Sequence, residues 1–262
     1  MTPDALSAAA DQLWDCWRAG ARISDLPAAL RPQTRAEGYQ VQALLETRSQ
    51  RPLFGWKIAA TSAAGQAHVG VDGPMAGRLL AERVVPDGGA CPLGANQMRV
   101  GEGEFAFRMG ADLPPRAAPY RVEEVLAAVA SLHPAIEIPD SRYDGFQRVG
   151  AAQLIADDAC ADRFVLGPAT TADWRALDLA AHKVLALVNG EREHPGVGAA
   201  VLGDPRLALT WLANELSAHG VTLRAAEVVT TGTCSVPFPV AEGDHVVGDF
   251  GVLGRVSVTM TH

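Results

Sequence analysis

Val100-Gly-Glu-Gly-Glu-Phe-Ala-Phe107 reads as a β-strand. With side chains alternating at period 2, Glu102 and Glu104 fall on one face, and Phe105 and Phe107 on the other. If the phenylalanines face a core, the two carboxylates share the opposite surface about 7 Å apart. A half-exposed edge strand with solvated acids is the plain alternative. Gly101 and Gly103 weigh against it, because glycine weakens a strand and often marks a place where another group approaches closely.

Strand signals extend outward from this stretch. Short apolar runs separated by Gly/Pro turns give candidate strands at 55–59, 98–108, 135–138, 163–166, 177–188, 227–230, 245–247 and 254–260. Two helices interrupt them. One spans 122–132, with Val122, Val125, Leu126 and Val129 at helical spacing. The other has Asp204 at the N-cap, Pro205 at N1 and Gly220 at its stop. Upstream lie a helix over 3–19 and one from Thr34 to about Arg48, opened by a Thr34/Glu37 capping box. Gly196-Val-Gly-Ala-Ala200 and 111–119 read as loops. Strands and helices do not alternate regularly, so a doubly wound or barrel-type parallel sheet is disfavoured. The expected class is α+β and β-rich, with a mixed β core, peripheral helices and a helical N-terminal lead-in. The division is a helical segment over 1–52 and a single catalytic unit over 53–262.

Composition narrows the partners. Twenty-two basic and thirty acidic side chains leave a net charge of −8, and no basic run or aromatic-interleaved basic stripe appears. A nucleic-acid footprint is therefore missing, and any anion site must be built locally against the overall field. Cys16, Cys91, Cys160 and Cys234 are widely spaced, without CxxC or nearby His at ligand spacing. Reduced thiols fit better than disulfides or zinc. The N-terminal residues lack a signal-peptide pattern and no apolar run approaches 18 residues. A cytoplasmic protein without membrane contact is expected.

Glu137, between Ile136 and Ile138, is a third acid in an apolar strand. Its plain reading is a surface acid between two buried isoleucines. If it converges with Glu102 and Glu104, only a cation relieves the repulsion, and three hard oxygen donors favour Mg²⁺, Mn²⁺ or Ca²⁺ over zinc. Lys57, in Phe54-Gly-Trp-Lys-Ile58, is either a strand-edge lysine reaching water or an ammonium directed into a site. Arg142 is a carboxylate fork or half of a structural ion pair. Cys234, His133 and His68 read as packing or hydrogen-bonding residues rather than nucleophile or ligands.

Taken in order, Gly55-Trp-Lys57, Val69-Gly-Val-Asp-Gly-Pro74, Glu102-x-Glu104, Pro134-Ala-Ile-Glu137 with Ser141-Arg142, Ala156-Asp-Asp158 and Thr231-Gly-Thr233 are similar to the 2-hydroxypentadienoate (2-keto-4-pentenoate) hydratase and 4-oxalocrotonate decarboxylase family of the fumarylacetoacetate hydrolase superfamily. The likeness runs from about residue 35 to the C-terminus. It implies a β-rich core of the superfamily's C-terminal type, Mg²⁺ or Mn²⁺, a homo-oligomer, and a small 2-oxo or 2-hydroxy-dienoic acid as substrate. It also implies that Glu102, Glu104 and Glu137 are the metal ligands and Lys57 and Asp72 the catalytic pair. Arg142, Asp158, Thr231, Gly232 and Thr233 are then substrate contacts. Asp157-Asp158 departs from the family's frequent Asp-Asn, and Cys234-Ser-Val-Pro-Phe-Pro239 departs from the hydratases. The expected reaction is hydration of a 2-hydroxy-2,4-dienoate to a 4-hydroxy-2-oxo acid. Decarboxylation of a 2-oxo-hexenedioate is the alternative, with a non-catalytic partner subunit further behind. An acylpyruvate hydrolase needs a His-Glu pair that 20–75 lacks.

Overall fold

Thr2 opens helix α1 (Pro3–Ala19) by accepting from the Ala5 amide, and Gly20, with φ 65°, closes it. The computed structural model describes residues 1–49 and 51–262. Helix α2 (Arg35–Glu46) is capped by the Thr34 hydroxyl, which accepts from the Glu37 amide. The return half of the expected capping box is redirected. Glu37 accepts from the Gln33 amide at 2.8 Å and from the Met1 ammonium at 2.5 Å, so its carboxylate ties the chain start to α2.

Two sheets follow. In the larger, the order is β2 (Met75–Leu80), β1 (Leu53–Ala59), β10 (Val228–Thr233), β5 (Val100–Met109), β6 (Val129–Ile138), β7 (Arg163–Leu166) and β3 (Val84–Val85), with β11 (Phe238–Pro239) pairing the start of β5. The smaller runs β4 (Ala90–Pro92), β13 (Arg255–Thr261), β12 (His245–Asp249), β8 (Lys183–Val188) and β9 (Arg192–Val197). Pairing of β1 with β10, β3 with β7 and β4 with β13 is parallel, and the remaining pairs are antiparallel. The core is therefore mixed β, as expected.

The smaller sheet shows its sidedness in sequence. Val256, Val258 and Met260 of β13 are buried while Arg255, Ser257 and Thr259 alternate outward. The larger sheet is covered on both faces. All six residues of β2 are buried, as are seven consecutive residues of β6, so polar groups on these strands need partners inside the protein. Ala9 and Leu13 of α1 and Leu45 of α2 join the same apolar cluster as Phe105 and Ile136 of the sheet.

Three sequence expectations are corrected. The helix expected over 122–132 is α4 (Val122–Ala127) only, because Val129–Leu132 pair with Met109–Phe107 of β5. Ladder bonds to a central strand override a short helical periodicity. The strand expected from Leu177 begins at Lys183. Gly196 and Val197 belong to β9, and 198–200 is one 3₁₀ turn. Helix α3 (Ala63–Val69) and α5 (Ala151–Ala156) carry too few residues to show a period. Helix α6 (Pro205–Ala218) lies where its caps place it.

Candidate metal centre

Registry between β5 and β6 builds the centre. Glu102 lies directly opposite Glu137, and Glu104, two residues along the same face, lies opposite Ala135. One oxygen from each of the three carboxylates falls within 4.8 Å of the others. Glu104 and Glu137 are almost wholly buried and Glu102 is partly so. The acidic strand is thus interior, not a solvated edge.

Lys57 arrives from β1, three strands away from β6 in the sheet order. A flat sheet would separate those strands by about 14 Å. The sheet curls, and the Lys57 ammonium reaches Glu137 Oε1 at 2.8 Å and donates to the Ala159 carbonyl at 3.1 Å. Gly77 makes the passage. A Cβ there would sit 2.9 Å from Lys57 Cγ and Cδ and 2.5 Å from the Asp158 carbonyl oxygen.

The electrostatics follow from this crowding. Burial and the neighbouring Glu137 push the Glu102 carboxyl up to about 7. Burial, then Glu137 and Glu102, raise Glu104 further, and burial raises Glu137 against the pull of Lys57. Burial opposes the charge on Lys57, but Glu137, Glu102 and Glu104 together hold its ammonium above the usual lysine range. One positive charge faces three carboxyls. Glu104 Oε2 accepts from the Thr230 hydroxyl and, at 2.8 Å, from the Gly232 amide. Among the described residues, Glu104 Oε1 and Glu137 Oε2 are buried without any hydrogen-bond partner. Orphaned, converging, hard anionic oxygens beside a fixed ammonium are a donor set that fits a divalent cation such as Mg²⁺ or Mn²⁺.

A cavity of about 920 Å³ opens from Lys57 and Glu102. Met75, Met98, Phe146, Leu154 and Val236 line it, with Thr233 and Cys234 near the acids. Burial and the nearby Glu104 and Glu102 push the Cys234 thiol well up, so it stays un-ionised. His68 lines the wall edge-on to Phe146. His133 is bound away from the cavity, its ring nitrogens meeting Gly167 O and Ser131 Oγ at 2.9 Å each.

Several residues expected at the substrate stand elsewhere. Asp72 has a side chain 89% exposed, facing Arg35 at 3.4 Å, and does not line the cavity. Turn residues 71–74 turn it outward, which removes the geometric basis for a general base there. Arg142 is buried and consumed by the protein. It forks onto Asp157, which also accepts from Ser141 Oγ at 2.6 Å, and its Nη1 donates to the Asp140 and Ala161 carbonyls. The structural ion pair is therefore what the fold contains. Asp158 is buried beneath the wall, accepting from the Arg78 amide at 2.6 Å. The Thr231 hydroxyl donates to the Phe105 carbonyl, away from the cavity. Only Thr233 of the Thr-Gly-Thr turn faces the cavity, while Gly232, at φ 103°, presents its amide to Glu104.

Comparison with known proteins places the chain in a family. The model of the fumarylacetoacetate (FAA) hydrolase C-terminal family matches residues 52–261. The chain belongs to the FAA hydrolase family. Within it, the chain is 34% identical to a 4-oxalocrotonate decarboxylase of Pseudomonas sp. (strain CF600), over 86% of this chain and 84% of that protein. It is 32% identical to a 2-keto-4-pentenoate hydratase of Paraburkholderia xenovorans (strain LB400), over 93% and 90%. A solved 4-oxalocrotonate decarboxylase from Pseudomonas putida G7, complexed with magnesium and adipate, superposes with a TM-score of 0.90 at 30% identity, covering 99% of this chain and 98% of the other. The protein is thus an enzyme of the hydratase and decarboxylase group of FAA hydrolases. No helix among the described residues is long and apolar enough to cross a membrane.

In this FAA hydrolase, Thr230, Gly77 and the Ala159 carbonyl escaped sequence reasoning. Thr230 precedes the Thr-Gly-Thr turn and was within reach. A backbone carbonyl leaves no mark in sequence. The segment holding it is unusual, since Asp158, Ala159 and Cys160 have φ of 55°, 50° and 62°. Three consecutive non-glycine residues in the left-handed region store strain that the surrounding packing must hold.

Asp158 itself supplies a stability prediction. Burial pushes its carboxyl up to about 7. A carboxyl raised in the folded state makes stability fall as pH climbs from its unfolded value, about 3.9, through 7. Asp158→Asn keeps the acceptor for the Arg78 amide and removes the buried charge. It is expected to stabilise the protein by about 1–2 kcal/mol at pH 8 and to give no gain near pH 4. Urea midpoints measured at both pH values check this.

Proposed function

We propose that the enzyme hydrates a 2-hydroxy-2,4-dienoate carrying an uncharged tail, yielding a 4-hydroxy-2-oxo acid. The observation that carries this reading is the charge of the cavity wall. Beyond Lys57, no lysine or arginine lines it among the described residues, and His68 is the one further side chain able to carry positive charge. A monoanionic substrate places its carboxylate head at the Lys57 end and an apolar tail along Met98, Phe146 and Leu154. The second carboxylate of a hexenedioate would have no guanidinium to meet it.

Glu102, Glu104 and Glu137 would hold the divalent cation. When bound, such a cation supplies Lewis-acid polarisation of the substrate's 2-oxo oxygen. Lys57, charged and fixed by Glu137 and Ala159, orients the carboxylate head; as the dienol becomes an unsaturated 2-oxo acid, Nζ donates a proton to its terminal carbon and recovers one from the 2-hydroxyl oxygen. Asp72 takes no part. Lys57 and His68 are the nitrogen groups placed to move protons.

The decarboxylase reading is favoured by the overall likeness to the P. putida G7 enzyme. Mixing the purified protein and Mg²⁺ with 2-hydroxypenta-2,4-dienoate, while following dienol absorbance, separates the two. Metal-dependent loss of the dienol, without CO₂ release from a 2-oxo-hexenedioate, is the expected outcome. CO₂ release with no dienol consumption would overturn the hydratase assignment.

A further inference from the structure

A second cleft, of about 300 Å³, lies between the end of α1 and the loop after β4 and shares no lining residue with the catalytic cavity. Five arginines contribute to it in a chain whose net charge is −8: Arg18, Arg22, Arg83, Arg142 and Arg163. Three are spoken for. Arg142 pairs with Asp157, Arg22 with Asp140, and Arg83 with Asp162 at 3.3 Å while lying over the Trp17 ring. Arg18 and Arg163 have no carboxylate within ion-pair range among the described residues, although both line the same small space. Among the described residues, the Nε atoms of Arg22 and Arg163 are buried with no acceptor. Buried donors lacking a partner destabilise a fold unless something fills the site. Burial, followed by the neighbouring Arg163 and Arg142, also weakens the hold of Arg83 on its proton against the pull of Asp162.

We propose that this cleft binds a small oxyanion, a phosphate or a short carboxylate, between the guanidiniums of Arg18 and Arg163. The chemistry is that of paired planar forks, each offering parallel N–H donors to two oxygens of one anion. The volume admits an inorganic anion or a short diacid and excludes a nucleotide. None of its lining residues borders the catalytic cavity, so the site stands or falls separately from the hydratase assignment.

Thermal melting of the full chain, with chelator present and ionic strength held constant by NaCl, tests it directly. Replacing chloride with phosphate, and in a separate arm with succinate, is expected to raise Tm saturably in at least one arm. At about a hundredfold excess over Kd the rise should be about 5 °C or more. Which arm responds identifies the anion. Arg163→Gln and Arg18→Gln should each lose most of the rise while leaving dienoate turnover unchanged. If Arg163→Gln fails to fold, Arg18→Gln, at an exposed helix end, decides. No saturable rise with either anion, or an undiminished rise in Arg18→Gln, would overturn the proposal.

Discussion

Glu104→Gln is expected to lower metal-dependent turnover by about 10³-fold while leaving the fold intact, an effect of the size seen when one preorganised electrostatic contact is removed from an active site. The reason lies in the two ends of this carboxylate. Oε2 accepts from the Thr230 hydroxyl and the Gly232 amide, so a glutamine must turn its carbonyl oxygen toward those donors. Its NH₂ group then occupies the place of Oε1, the orphaned oxygen that faces Glu102 and Glu137. An N–H donor aimed at a cation site repels what the carboxylate would attract. Glutamine is neutral, like the protonated carboxyl that burial and the neighbouring acids favour at Glu104 without a cation, so the metal-free variant should melt no lower than the metal-free wild type. Glu123→Gln, at an exposed position on α4, is the control and should change neither quantity. Turnover within tenfold of wild type at saturating Mg²⁺ would remove Glu104 from the centre.

Lys57→Met has the second largest expected effect, and it reads out twice. The methionine keeps an unbranched apolar stem where Gly77 allows one and deletes the ammonium. Turnover should fall by about 10²–10⁴-fold, the range for loss of a positioned proton donor. Stability in chelator should fall as well, by about 3 kcal/mol, since breaking a buried ion pair leaves Glu137 uncompensated. Added Mg²⁺ should recover much of that stability and none of the activity. That split distinguishes a proton-moving lysine from one that only balances charge. Recovery of activity along with stability would assign Lys57 a purely structural role. Kinetic assays and melting curves on the same preparations provide both numbers.

The fold was legible where periodicity and punctuation agree over many residues. Val256, Val258 and Met260 alternate cleanly, and Asp204-Pro205 with Gly220 bracket α6 within two residues of its observed ends. Legibility failed where tertiary pairing decides. Val122 to Leu132 has helical spacing, yet its second half is a central strand held by β5. Strands β2 and β9 carry no apolar–polar alternation in sequence, because one is buried on both faces and the other is largely exposed.

At the site, the three glutamates and Lys57 were readable as candidates because acids and a lysine in apolar strands are anomalous. Asp72 and Asp158 followed family likeness alone, and the structure puts them on a surface ion pair and a buried turn, while Arg142, readable equally as a carboxylate fork or a structural ion pair, is in a buried ion pair. Outside a regular strand or helix, sequence order says nothing about which way a side chain leaves the backbone. The curl that carries Lys57 across three strands, and the Ala159 carbonyl that holds it, arise only from the assembled sheet.

A calorimetric titration with Mn²⁺ is the most direct measurement of the central claim, that Glu102, Glu104 and Glu137 form one divalent-cation site. Wild-type protein stripped with chelator should bind one Mn²⁺ per chain, with Mg²⁺ competing, and its Tm should rise by several degrees once Mn²⁺ is in about a hundredfold excess over Kd. Alanine at any of the three positions should abolish that saturable binding and most of the rise. Binding of one Mn²⁺ per chain with undiminished affinity in all three alanine variants would contradict the account.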